Sequence, residues 1–395
     1  RLWRYKLSFG NQENLRIKSD PNKQLQITII FPSHNLLSLT SYLNKMYDFI
    51  IIGAGLAGVS FAHTLEKNGK TFCLLSDHSQ VASVIAGGVY NPVVLKRFTP
   101  VWHSEDIMNS ANRFYDEIEV KMQCQFRIPI HVVRKFASVE EQNNWFTASD
   151  NPLLAPYLSP VILPALNEAL PAPFGLGEVL HTGRLEVQHY LNESIKRWQT
   201  EGVCYEKTFV YNDLEVYDTH VVYCGVSARN IIFCEGCGIA KNPYFSKLPM
   251  RPCKGETLTI SAPGLQLQHI YKSDGVLIPL GDDKYILGAT YDPEDLTEVI
   301  TEAARTELLE KLRKMTSVPY EVLSHQAAIR PTVSDRRPLL GQHPQHSHLW
   351  VFNGLGTRGV LNAPYCAEVL YAAAFEEIEI PHEMNINRFA KRFRH

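Results

Sequence analysis

Three glycines stand at the spacing that a bound pyrophosphate requires. In Gly53-Ala54-Gly55-Leu56-Ala57-Gly58 the first permits a tight backbone turn, the second lets the chain approach a phosphate with no Cβ in the way, and the third allows close packing between helix and strand. Leu56, Ala57 and Gly58 open a helix, whose free N–H groups and positive dipole end suit phosphate oxygens. The chemistry in prospect is dinucleotide binding. Such a site also needs an acid for the ribose hydroxyls about twenty residues further on, at the end of the second strand. The chain there reads Leu75-Ser76-Asp77, so Ser76 occupies the counted position and Asp77 lies one residue beyond. Either Asp77 reaches the ribose after a small loop adjustment or Ser76 binds it more weakly; the alternative is that Asp77 is a solvated loop residue.

The elements around the turn fit that use. Residues 47–52 are a short apolar run, as expected of a parallel strand covered on both faces. From Leu56 to about Asn68 apolar residues recur at helical spacing, and Asn68-Gly69 is a stop signal. Residues 71–75 give the second strand, completing a βαβ unit of about thirty residues, the context in which a glycine triplet becomes specific. Residues 230–234 form a later apolar strand ending at Glu235-Gly236. Residues 184–202 read as an amphipathic helix whose apolar side, including Tyr190, Leu191, Ile195 and Trp198, belongs to the core. Alternation at 126–133, 256–260 and 276–280, with 284–289 as a further strand, points to a separate antiparallel sheet; 292–315 is a charged helical segment.

Bulk properties exclude several classes. At 395 residues the chain exceeds one ordinary core, which favours two closely packed domains. Lys plus Arg number 39 against 41 Asp plus Glu, so no global positive field recruits nucleic acid or an anionic membrane, and a nucleic-acid partner is a minority expectation. No run approaches the roughly 18 to 20 apolar residues of a membrane span, and no signal peptide is evident, which makes the cytoplasm the simplest location. The eight cysteines are scattered and read as reduced, mostly buried thiols. Cys234-Glu235-Gly236-Cys237 is a CxxC with no second ligand pair, and His343, His346 and His348 fall in what reads as a polar loop, so no metal is expected. Residues 1–45 lack stable periodicity. They read as an N-terminal extension, with Met46 as the functional start or, alternatively, the extension as a docking segment.

Four blocks, in order over residues 46 to 385, make the chain resemble the D-amino acid oxidase and glycine oxidase superfamily of FAD enzymes. They are the glycine turn; Ser83-Val84-Ile85-Ala86-Gly87-Gly88-Val89-Tyr90-Asn91-Pro92; Met250-Arg251-Pro252-Cys253-Lys254-Gly255-Glu256, with Glu256 where Gln is common; and Ile329-Arg330-Pro331 through Pro338 followed by Asn353-Gly354-Leu355-Gly356-Thr357-Arg358-Gly359. The resemblance implies an α/β fold, with a Rossmann-type FAD-binding domain and a second antiparallel-sheet α+β substrate domain. It divides the chain into FAD-binding parts at 46–120, 171–241 and 329–395 and substrate parts at 121–170 and 242–328. Ala86 and Gly87 would pass the flavin and Gly236 would return beside it. Gly354, Leu355, Gly356, Thr357 and Gly359 would bring backbone N–H groups to the flavin ring, where the reduced cofactor carries anionic charge. Arg358 would add positive charge there, or else form a surface salt bridge.

Arg330 is implied as the substrate anchor. A guanidinium fork gives a carboxylate two parallel hydrogen bonds; bracing the two domains is its alternative role. Tyr271, Tyr285 and Tyr291 are pocket candidates for which packing is the simpler role. Some relatives attach FAD through a Cys two residues before Arg330; Ala328 stands there, so noncovalent FAD is expected. The implied reaction is hydride transfer from the α-carbon of a neutral amine or amino acid to flavin N5, followed by imine hydrolysis, with oxygen, a quinone or a carrier as acceptor. Two other readings compete: the oxidase domain of the tRNA wobble-uridine enzyme, which removes a carboxymethyl group, and a flavin-binding protein without turnover. An NAD-dependent dehydrogenase fits less well, because the late blocks have no counterpart there.

Overall fold

The computed structural model describes residues 46–393 apart from 78, 80, 81 and 86. The extension expected over residues 1–45 and the flavin contact expected at Ala86 lie outside the described residues. Strand Met46–Ile52 pairs in parallel with Phe72–Ser76 on one side and Val226–Phe233 on the other. Cys204–Glu206 extends one edge in parallel. His346–Asn353 adds a further parallel strand beside Val226–Phe233, and Leu339–His343 folds back on it. The continuous apolar character of these strands follows from cover on both faces: Phe49, Ile51 and Leu74 enter a core with helices Leu56–Lys67, Val187–Thr200 and Gly359–Phe375, whereas Ile50, Cys73 and Ile231 enter a second core on the opposite face. Each fully buried Phe, Ile or Leu contributes about 1.5–3 kcal/mol, so the sheet ends are held rigidly where the glycine turn leaves them.

A second eight-stranded sheet runs in the order Glu321–Arg330, Cys253–Ser261, Lys284–Gly288, Val276–Gly281, Ile270–Lys272, Val132–Lys135, Leu176–Val179 and Leu158–Leu163. Its pairings are antiparallel except between Ile270–Lys272 and Val132–Lys135. One face is covered by helix Glu302–Met315, whose Leu308, Leu312 and Met315 pack with Leu258, Tyr271, Leu277 and Leu287. The architecture is therefore mixed α/β, a sheet with a parallel centre and antiparallel outer strands beside a mainly antiparallel one. No helix among the described residues is long and apolar enough to cross a membrane.

Several local expectations are corrected. The helix expected over 184–202 spans Val187–Thr200, because Leu185 is buried in strand Gly183–Leu185, where its N–H donates to the Gly88 carbonyl. Leu176–Val179, expected in a nucleotide-binding part, joins the antiparallel sheet through Val132–Lys135. Residues 292–301 are loop: Asp292 and Asp295 accept backbone N–H groups two and three residues on, and Thr301 caps the helix through Ala304 N–H at 3.2 Å. His343, His346 and His348 sit on the paired strands Leu339–His343 and His346–Asn353, where apolar Leu349 and Val351 carry the register into the core.

Candidate active site

A cavity of about 650 Å³ runs from the C-terminal ends of the parallel strands to one face of the antiparallel sheet, a size ordinary for a cofactor and ligand site. Gly53 has φ +102°, and a Cβ there would lie 2.4 Å from the Cys234 carbonyl oxygen. A Cβ on Gly58 would lie 1.9 Å from the Gly53 carbonyl oxygen. Gly58 thus sits behind the turn and locks the helix against it, while Gly53, Gly55, Leu56 and Ala57 line the cavity. The helix begins with no side-chain cap and no acidic residue in its first turn; Leu56 N–H donates to Ser83 Oγ at 3.3 Å. An anion meets donors there, and the first turn of the helix holds no competing carboxylate.

Ser76 and Asp77 both line this end. Burial pushes Asp77 up, but hydrogen bonds from Ser79 and Thr208 outweigh it and hold the carboxyl below its ordinary value. The structure adds an acid that the sequence reading passed over. Glu235, at the end of strand Val226–Phe233, also lines the cavity, accepting hydrogen bonds from Tyr211 Oη and from Asn242 Nδ2, the latter at 2.8 Å. Burial raises its pKa despite those donors. Only the adjoining Gly236, which does line the cavity, was expected.

Further along, Gly87, Leu355, Gly356, Thr357 and Gly359 line the wall. Gly354 does not. With φ +74° it makes the turn, its N–H donating to Asn353 Oδ1 at 2.7 Å, and Asn353 Nδ2 donates to the Gly236 carbonyl at 2.9 Å. This amide stitches the two parallel strand ends together. Arg358 also stands off the wall: its Nη1 donates to the Asn91 carbonyl at 3.0 Å, and burial pulls the guanidinium down from its usual value. Among the described residues it forms no salt bridge, and it is not among the residues that line the cavity.

At the far end Arg330 lines the cavity, its guanidinium lying flat over Gly255, where a Cβ would come within 1.9 Å of Nη2 and 2.2 Å of Cζ. Nη1 donates to the Lys254 carbonyl at 3.2 Å and Nη2 to the Thr290 carbonyl at 3.3 Å. No carboxylate of the described residues pairs with it. Lys272 lines the same region, and sequence reasoning missed it; burial, with Arg134 and Lys311 nearby, lowers its pKa to about 8. The available signal was a lysine on the same strand face as Ile270. Tyr271 and Tyr285 are buried in the core under the sheet and Tyr291 is exposed, so none of the three lines the cavity. No described group of three or more His, Cys, Asp or Glu is placed to hold a metal. Cys234 and Cys237 are unbonded thiols, and burial raises both, Cys237 to about 12.

A glycine-lined helix start opening on a long cavity, with parallel strand ends on one side and a sheet on the other, is the plan of a nucleotide-dependent oxidoreductase. Residues 48–373 match the family described as FAD dependent oxidoreductase, and the chain belongs to it; it is an FAD-dependent oxidoreductase. Among solved structures, glycine oxidase from Bacillus cereus aligns at TM-score 0.70 and 18% identity, covering 85% of this chain and 96% of that one. Iminodiacetate oxidase from Chelativorans aligns at TM-score 0.71 and 17% identity, covering 85% and 98%. In sequence, the chain is 24% identical over 394 residues to the tRNA 5-methylaminomethyl-2-thiouridine biosynthesis bifunctional protein MnmC of Acinetobacter baylyi, covering 92% of this chain and 59% of that protein. The chain thus spans about three-fifths of the length of that relative.

Proposed function

We propose that the protein oxidises a carbon–nitrogen bond next to a carboxylate, in an amino acid or a related secondary amine, with Arg330 holding the carboxylate. The observation that carries this is the placement of Arg330: a guanidinium on the cavity wall, oriented by two backbone carbonyls and facing no described carboxylate. Those two bonds, with a long contact of Nη1 to Cys253 Sγ at 4.0 Å, leave other N–H donors of the fork for a ligand. In this reading Gly53, Gly55, Leu56 and Ala57 receive the pyrophosphate, Gly58 supports them from behind, and the ribose lies among Ser76, Asp77 and Glu235. Leu355, Gly356, Thr357 and Gly359, with Gly87 and Gly236, border the flavin ring. Ala328 on the wall offers no thiol, in keeping with noncovalent cofactor.

Bound FAD supplies the hydride acceptor. The chain's own residues set the geometry: Arg330 fixes one end of the substrate, and the apolar face of Ile270, Ile278 and Ile286 excludes water around the reacting carbon. Anaerobic flavin bleaching against glycine, sarcosine, iminodiacetate, proline and D-amino acids tests the reading. It predicts bleaching by carboxylate-bearing amines and none by the matching amines without the carboxylate. The tRNA reading draws on a different observation, the likeness to the bifunctional tRNA protein along 92% of this chain. In that case tRNA bearing carboxymethylaminomethyluridine bleaches the flavin and free amino acids do not.

A further inference from the structure

The antiparallel sheet presents a second cation to the cavity. Register across its strands aligns Thr257 with Gly288, Gly288 with Val276, and Val276 with Lys272. All four line the cavity, whereas Tyr271, the intervening residue of the same strand, is buried in the core beneath. Lys272 therefore belongs to the cavity face by strand alternation. One row therefore crosses the floor, a hydroxyl at Thr257, small and apolar at its middle and cationic at its end. Arg330 lies over Gly255, two residues along from Thr257. Strands are spaced at about 4.8 Å, so three strand steps less the reach of a lysine leave a gap on the order of 10 Å between the two cations.

Lys272 lacks the compensation its neighbours have. Arg134 pairs with Glu141 at 2.7 Å, and Lys311 pairs with Glu307. Lys272 Nζ makes one long hydrogen bond, 3.4 Å to the Gly275 carbonyl, and forms no ion pair with a described carboxylate. Burial and the two neighbouring cations lower its pKa, and Asp274 offsets them only in part. A half-buried cation in that position gains from an incoming anion.

We propose that Lys272 is a second anion anchor, so that the preferred substrate is a secondary amine with two acidic arms: a carboxymethyl-type arm for Arg330 and a longer arm ending in a carboxylate or phosphate for Lys272. The proposal deepens the carboxylate reading of Arg330 and rests on it. The carbon–nitrogen oxidation is unchanged; Lys272 selects which amines reach it.

The test uses the FAD-loaded protein and unreactive thioethers, with Kd read from perturbation of the flavin absorbance. The probes are (methylthio)acetate, thiodiacetate, 4-(carboxymethylthio)butanoate and 3-(carboxymethylthio)propyl phosphate. A charge-assisted bond at Lys272 is expected to make at least one of the two long two-armed acids bind about 10- to 100-fold tighter than (methylthio)acetate. That ratio is expected to collapse toward one in Lys272→Met and to survive in Lys272→Arg. Because the ratio is taken within each variant, a change in folding cannot imitate it. The long carboxylate and the phosphate differ in source, and the tighter of the two identifies which arm the site takes. No advantage for either long two-armed acid, or an advantage that persists in Lys272→Met, overturns the proposal and leaves Arg330 untouched. Failure of the Arg330 reading shows separately, as unchanged (methylthio)acetate affinity in Arg330→Lys.

Discussion

Substituting Gly255 by alanine would move the Arg330 guanidinium without altering Arg330 itself. The new Cβ would stand 1.9 Å from Nη2, 2.2 Å from Cζ and 2.4 Å from Nη1. Non-bonded atoms settle near 3.5 Å, so the fork must lift by about 1.5 Å and leave the Lys254 and Thr290 carbonyls that orient it. The obstructing atoms are the end of a flexible side chain and Gly255 has no positive φ, so the strand accepts alanine and the fold is retained. Removing a bidentate charge-assisted contact costs about 1.5–3 kcal/mol, a rise of about 10- to 150-fold in the KM of a carboxylate substrate. The assay is steady-state KM and anaerobic flavin reduction for Gly255→Ala and the parent protein, with FAD content measured in both. A KM for carboxylate substrates within twofold of the parent, at full FAD content, would refute the clamp geometry.

Three further outcomes follow from packing and titration. Gly53→Ala puts a Cβ 2.4 Å from a backbone oxygen at φ +102°, where neither partner can yield; a cost of about 1–3 kcal/mol should appear as purified protein with depleted FAD and a lowered Tm. Lys254 is 1% exposed and 3.3 Å from buried Glu256, so Lys254→Met should destabilise by about 3–5 kcal/mol in denaturant titration, and a loss under 1 kcal/mol contradicts the assignment. Burial holds His63 down to about 3, so the fold keeps a neutral imidazole while the unfolded chain takes up a proton below 6.5. Stability is then complete above pH 6.5 and falls by about 1.4 kcal/mol per pH unit from there toward pH 3. His63→Gln should flatten the decline of Tm between pH 6.5 and 4, and an unchanged slope would show that His63 does not set it.

What the sequence revealed and what it concealed divide along one physical line. The glycine turn, its flanking strands and the 230–234 strand are local patterns: periodicity and φ requirements within a few residues name the element. Arg330 could be found because it lies in a contiguous block. Lys272 could not, since its position beside Val276, Gly288 and Thr257 depends on register across successive antiparallel strands. Glu235 was hidden because its partners Tyr211 and Asn242 arrive from short irregular segments before and after the strand. The bond that holds Arg358 was hidden likewise, because the carbonyl it reaches belongs to Asn91, 267 residues earlier. The histidines at 343, 346 and 348 looked like loop because their polarity masked the alternation of Leu349 and Val351 on the paired strand.

The three residues Lys254, Gly255 and Glu256 make the strand answer to two readers. Gly255 faces the cavity and lies under the Arg330 fork. Its neighbours point the other way: Lys254 Nζ bonds Asp295 Oδ2 at 2.5 Å, Glu256 accepts Thr301 N–H and Oγ1–H at 2.9 Å each, and His325 Nε2 stands 2.8 Å from Glu256 Oε2. A library that randomises this tripeptide to alter substrate choice would therefore mostly sample broken attachments of the 292–301 loop. Specificity is better diversified at Thr257, Val276 and Lys272, which line the cavity while Leu258, Leu277 and Tyr271 beside them remain in the core.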